Sequence, residues 1–319
     1  FILPAFFTIL TLFAFYLSRD GRLALINSFV AFVVAVYCAE GYLIYQYDRS
    51  MVGAGGGVGD SRSKIEVIQD LRAQGVNAYP AMRALSLMVE NQDGEVVSDI
   101  RNGDTEFLSF GSIPDTTVVS CNESGQWLVY KSGPHGFNNP PEAWDSRASK
   151  IGMIGDSFAH GSCVPPDKNI AGHLRRRFGD VINLGVSGNG PLMELASLKE
   201  YLEPLAPKTV LWFFYEGNDI SENLPFERKS RLLMSYLNND EFRQGLMNNN
   251  GEVSKRLKLY LDEHLLAMIE QMQGPFEDLL DFIQIYHLRR QLGLGVVSLG
   301  LFEGAKEDDF RLFSRVLKK

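Results

Sequence analysis

Between Lys150 and Asp219 three short apolar runs each end in a small polar cluster, and no other feature of the 319-residue chain constrains its fold as much. Ile151-Gly152-Met153-Ile154 leads into Gly155-Asp156-Ser157. Val181-Ile182 leads into Asn183-Leu184-Gly185-Val186-Ser187-Gly188-Asn189-Gly190, and Val210 to Tyr215 leads into Glu216-Gly217-Asn218-Asp219. Helical patterns separate the runs. Ile170, Leu174 and Phe178 share one helical face, with Gly179 as the stop, and Pro191 opens a second helix carrying Leu192, Leu195, Leu198 and Leu202. The order is βαβαβ, and a helical crossover between consecutive strands makes them parallel. Groups just past the carboxyl ends of neighbouring parallel strands converge on one crevice, so Ser157, Gly188 and Asn218 are expected to meet there.

A serine hydroxyl is a weak nucleophile until a base takes its proton, and the oxyanion it creates on a carbonyl needs preorganised donors. Ser157 follows a strand and precedes a helical turn, which aims its backbone N–H at that oxyanion. Gly188 offers a second N–H with no side chain in the way, and the Asn218 amide offers a third donor. Each motif alone is an ordinary turn, loop glycine or cap. Their occurrence after three successive strands points to acyl transfer.

These residues resemble the SGNH (GDSL-type) hydrolases. Gly155-Asp156-Ser157 matches the first block of that family, and Asn183 with Ser187-Gly188 matches the second. Glu216-Gly217-Asn218-Asp219 matches the third, with Glu216 where the family usually has glycine. The resemblance implies Ser157 as nucleophile, Gly188 and Asn218 as oxyanion donors and Asp156 as support for the serine turn. It also implies a flavodoxin-like α/β three-layer sandwich around a parallel sheet. The family's last block, Asp-x-x-His, supplies the general base and has no counterpart: three positions before the five histidines stand Ser132, Ser157, Ile170, Leu261 and Gln284. His160 is near Ser157, but a helix start disfavours the imidazolium that a base becomes. His264 and His287 read as structural. The sheet and the Asp/His segment are therefore expected to be completed beyond Lys319; the alternative is a protein that lacks the base.

Phe1 to Leu17 carry no charge, and Leu23 to Tyr45 are interrupted only by Asn27 and Glu40. The second run is long enough to span a bilayer, and the first would be with a few residues before Phe1. Two successive runs are more than a signal peptide explains, so residues 1–47 are read as two transmembrane helices, with Tyr42, Tyr45 and Tyr47 as an interfacial belt. Arg19 and Arg22 in the connector favour its cytoplasmic placement. That puts the remainder outside the cytoplasm, at the inner membrane of a bacterium with the soluble part in the periplasm or beyond.

Residues 48–63 form a linker, with five glycines between Met51 and Gly59. Residues 64–148 read as an α+β lead-in, opened by a helix over about 62–74 capped at Asp60-Ser61. Residues 149–226 are the three-stranded core and 227–319 a mainly helical insertion, with helices expected over 227–236, 252–272 and 276–291 and a weak fourth strand over 296–302. Cys121 and Cys163 are either a disulfide or two separate buried thiols; Cys38 lies in the apolar run. A net charge of −8 argues against a nucleic-acid partner. No His/Cys/Asp/Glu spacing suits a metal, and Gly185 to Gly190 has no phosphate-loop companion, so no cofactor is expected. Two functions follow from these readings. One is a membrane-anchored extracytoplasmic esterase or acyltransferase acting on O-acyl groups, acetyl first among them, of a surface glycan. The other is an inactive SGNH-like accessory or scaffold subunit, binding membrane-protein partners through residues 1–47 and 227–319.

Overall fold

The computed structural model describes residues 17–53, 60, 62–102, 105–123, 125–145, 151–272, 282–283, 285–292 and 306–319. The first apolar run up to residue 16, the glycine run 54–59 and the candidate strand 296–302 lie outside them. The chain is mixed α/β and divides into two compact units, residues 1–51 with 274–297 and residues 52–273 with 298–319.

In the first unit, α1 (Arg19–Gly53) is long and apolar enough over Arg19–Tyr45 to cross a membrane, as an anchor or a signal sequence. It starts inside the expected connector, at Arg19, and runs six residues into the expected linker, because no glycine or proline interrupts Leu43 to Val52. Glu40 is fully buried although it lies in an apolar helix. Its Oε2 accepts the Leu288 N–H at 2.7 Å, in the first turn of the short helix Tyr286–Gln291. The Tyr37 hydroxyl donates to the Ile283 carbonyl at 3.1 Å, and its ring lies 5.3 Å from that of Phe282. Residues 282–292 thus belong with the N-terminal helix instead of extending one continuous insertion.

The second unit opens with α2 (Lys64–Ala73), whose cap is Ser63 and not Asp60-Ser61. Ser63 and Glu66 cap each other reciprocally, while Asp60 is held by Arg62 at 2.6 Å. A small mixed sheet follows, β1 (Ala78–Pro80), β2 (Thr117–Val119) and β3 (Val129–Lys131), with β2 parallel to β1 and antiparallel to β3. The main sheet is parallel throughout. It comprises β4 (Ile151–Gly155), β5 (Val181–Asn183) and β6 (Thr209–Phe213), in the order β6-β4-β5. Side chains alternate across it. Met153 and Val181 meet Ala171 and Leu174 of α4 (Ile170–Phe178) on one face. Ile154 and Ile182 join Leu192 and Leu195 of α5 (Pro191–Ser197) on the other. The four-residue α3 (Ser157–His160) follows β4 directly.

Past Asp219 the described α-helices of the second unit are α6 (Leu224–Glu227), α7 (Arg231–Asn238), α8 (Asn250–Met272) and α9 (Glu307–Val316). The single helix expected over 227–236 is split, because the Ser230 side chain caps a fresh start at Leu233 N. One apolar core joins the lead-in, the sheet and these helices. Phe137 meets Tyr201 edge-on at 4.9 Å, and Phe110 meets Tyr236 at 5.9 Å. Burying each such ring contributes roughly 1.5–3 kcal/mol, so the lead-in shares its stability with the core it precedes.

Candidate functional site

Strand order decides what meets at the sheet's carboxyl edge. β4 is the middle strand, so Ser157 has the loop bearing Gly188 on one side and the loop bearing Asn218 on the other. All three residues are partly exposed. Ser157 is the first residue of α3, where its N–H has no intrahelical acceptor. Gly188 adopts φ +83°, a left-handed conformation that turns the backbone after Ser187. Asn218 keeps its side-chain oxygen buried and without a hydrogen-bond partner.

Each of these three loops is gripped by a buried carboxylate. Asp156 caps α3, its Oδ1 accepting the Phe158 N–H at 2.9 Å. Asp219 accepts the Tyr215 N–H at 2.7 Å. Glu227 reaches across from α6 and takes the Gly190 N–H on Oε1 at 2.7 Å and the Leu192 N–H on Oε2 at 2.8 Å. A fourth acid, Glu194, accepts the Trp212 indole N–H, and its other oxygen is buried unpaired. Burial raises all four above the ordinary carboxylate range, Asp219 to about 6 and Glu227 to about 8, against the opposing pull of their N–H donors. Glu194 is pushed up first by burial and then by the negative charge of Asp219. Asp156, Asp219 and Glu227 anchor backbone and so fix where Ser157, Gly188 and Asn218 sit, and Asp156 also accepts a hydrogen bond from the Ser157 side chain.

His160 is occupied elsewhere. Its Nε2 lies 3.2 Å from the Tyr130 hydroxyl, and its Nδ1 lies 3.2 Å from both Ser162 and Ser187 Oγ. Burial lowers its pKa to about 4, so it is neutral at physiological pH and ties the end of α3 to the Gly188 loop. His135 pairs with Asn250 at 2.8 Å, and His264 Nδ1 lies 3.0 Å from the Tyr260 carbonyl. Asn183 works structurally: its amide donates to the Ala159 carbonyl at 2.6 Å and its oxygen accepts the Gly185 N–H at 2.9 Å. Asn139 from the lead-in closes the backbone of the β5 edge, donating to the Asn183 carbonyl at 2.7 Å and accepting the Asn183 N–H at 2.8 Å. Cys121 and Cys163 form a disulfide with Cα atoms 5.5 Å apart, which joins the lead-in to the loop after α3.

Sequence reasoning did not single out Glu227, Glu194, Phe158, Tyr215 or the Arg83–Leu85 segment. A β-carbon placed on Gly188 would lie 3.7 Å from Leu85 and 3.8 Å from the Arg83 stem, so the lead-in borders the crevice on that side. Phe158 and Tyr215 border the other side, both exposed. Only the position of Phe158, immediately after Ser157, was a local signal; the rest depends on long-range packing. Among the described residues no His/Cys/Asp/Glu group could hold a metal ion. Comparison with protein-family models, with curated proteins and with solved structures finds no match for the chain.

Proposed function

We propose that the chain is a membrane-anchored serine esterase or acyltransferase of SGNH type, working outside the cytoplasm on O-acyl groups, acetyl first among them, of a surface glycan. The observation that carries this reading is the placement of Ser157 on the central strand end, between loops bearing Gly188 and Asn218. Acyl transfer would begin with Ser157 Oγ attacking the ester carbonyl while its proton passes to a general base; the ester C–O bond then breaks, the sugar hydroxyl leaves with that proton, and the acyl group stays on Ser157. The negative charge that develops on the carbonyl oxygen would be met by the Ser157 and Gly188 N–H groups and the Asn218 amide, each such donor being worth about 3 kcal/mol of transition-state stabilisation. The flavodoxin-like sandwich is supported by helices on both faces of a parallel sheet. Two membrane spans and a periplasmic soluble unit are supported by the two apolar runs and by Arg19 and Arg22 between them.

The test is covalent labelling of the native, full-length protein with an acyl-mimicking organophosphonate at neutral pH, located by peptide mass spectrometry. Modification of Ser157, abolished in Ser157→Ala, is the expected result; an unmodified Ser157 refutes the reading. A second reading, the non-catalytic accessory subunit, is favoured by one observation: no histidine follows an aspartate by three positions, and His160 is engaged by Tyr130 and two serines. It predicts that Ser157→Ala leaves complex assembly and glycan acylation in cells unchanged.

A further inference from the structure

The two rings beside Ser157 have no structural task that accounts for their exposure. Phe158 is 58% exposed and Tyr215 is 42% exposed, and their centroids lie 5.1 Å apart with the planes inclined by 49°. By contrast Phe214, at a similar exposure, stacks on Phe313 of α9 at 4.8 Å. Tyr215 is held firmly. Its N–H is bonded to Asp219, and its ring lies over Gly217, where any β-carbon would fall 2.5 and 2.6 Å from two ring carbons and 2.7 Å from the hydroxyl oxygen. The pair spans the loop that carries Ser157 and the loop that carries Asn218.

From this placement we infer that Phe158 and Tyr215 form a stacking platform for one pyranose ring of the acylated substrate. The inference rests on the esterase or acyltransferase reading and specifies which substrate surface the site recognises. Aromatic faces carry partial negative charge and attract the positively polarised C–H face of a sugar, while the sugar's hydroxyl edge stays in water. The surroundings suit such an amphipathic ring and not a lipid chain. Glu216 and Gly217 beside the rings are exposed, and an acyl tail would require an enclosed apolar pocket. A sugar stacked there presents its ester across Ser157 towards Gly188, with Leu85 and the Arg83 stem bounding the far side.

The experiment uses the full chain in detergent with Ser157→Ala, so that the probes bind without turnover. O-acetylated xylo-, manno- and chito-oligosaccharides of six residues are titrated by calorimetry into this protein and into the same protein carrying Tyr215→Ala, Tyr215→Phe or Phe158→Ala. The expected result is binding of at least one probe, weakened about tenfold, the equivalent of 1.4 kcal/mol, by either alanine and retained by Tyr215→Phe, because the ring and not the hydroxyl stacks. Equal binding by the parent and both alanine variants overturns the platform, as does a loss in Tyr215→Phe as large as in Tyr215→Ala, or no binding of any probe by the parent. Phosphonate labelling of Ser157 in the otherwise native protein is scored separately. Labelling without ring-dependent binding rejects the platform alone, and ring-dependent binding without labelling rejects the catalytic reading alone.

Discussion

Replacing Glu227 by Gln separates what the buried carboxylate does as a hydrogen-bond acceptor from what its charge costs. Both carboxylate oxygens are engaged, by Gly190 N–H and Leu192 N–H. Gln keeps one acceptor and presents an NH2 group to the other donor, so one buried N–H loses its partner at a cost of about 1–3 kcal/mol. The charge acts in the opposite direction. Burial pushes Glu227 up to about 8 in the folded protein against 4.5 for the free side chain, which corresponds to about 5 kcal/mol. A raised carboxyl pKa means that the native state holds the proton more tightly. The associated stability is fully present below about pH 4.5 and is lost as pH climbs through 8. Glu227→Gln is therefore expected to be less stable than the parent at pH 5 and more stable at pH 9, by about 2–4 kcal/mol. Asp219 and Glu194 titrate in both proteins and largely cancel in the difference, apart from the repulsion of each with Glu227. Urea melts at the two pH values would follow Trp127, Trp144 and Trp212, all in the second unit. A difference of the same sign and size at both pH values would refute the assignment of a charge cost to this group.

Cys121→Ser with Cys163→Ser opens a loop of 42 residues and is expected to cost about 4 kcal/mol on the chain-entropy relation, read as a drop in urea midpoint that reductant reproduces in the parent. His160→Gln is expected to lower the thermal midpoint while leaving phosphonate labelling of Ser157 intact, since the imidazole is neutral and turned towards Tyr130; loss of labelling in a folded variant would give His160 a catalytic part. Gly185→Ala would place a β-carbon 2.4 Å from His160 N and 2.6 Å from two Ala159 atoms, so a loss of at least about 1–3 kcal/mol is expected in denaturant melts. A neutral Gly185→Ala would mean that α3 and the Gly188 loop are not in close contact.

The βαβαβ order was legible because its signals are local. The apolar run at Ile151, the stop at Gly179 and Pro191 at a helix start each act within a few residues, and the corresponding elements form at those places. The division into helices past Asp219 was less legible. Ser230 looked like any polar residue in a helical pattern, and only its hydrogen bond to Leu233 N marks a restart. The cap is Ser63, which has Glu66 as its reciprocal partner, while the Asp60 carboxylate is taken up by Arg62. Around Ser157 the sequence displays the three residues that meet at the strand ends but hides the groups that hold them. Glu227 lies 37 positions from Gly190, and nothing in its neighbourhood announces that its carboxylate is buried beneath another loop. The lead-in looked separable for the same reason: Tyr130, Asn139 and Phe137 reveal their partners only when the chain has folded back on them.

The contacts of Phe282, Ile283 and Leu288 with the N-terminal helix have a topological consequence. The covalent chain passes between the two units three times, at 51–52, 273–274 and 297–298. A protease that nicks the glycine run between α1 and α2 cuts only the first of these passages. The large fragment would keep its grip on α1 through Leu288 on Glu40 and Ile283 on Tyr37, without any remaining peptide link. With α1 as the proposed membrane anchor, release of the second unit would then require two events, the nick and the dissociation of that clasp, and a nicked protein is expected still to sediment with α1.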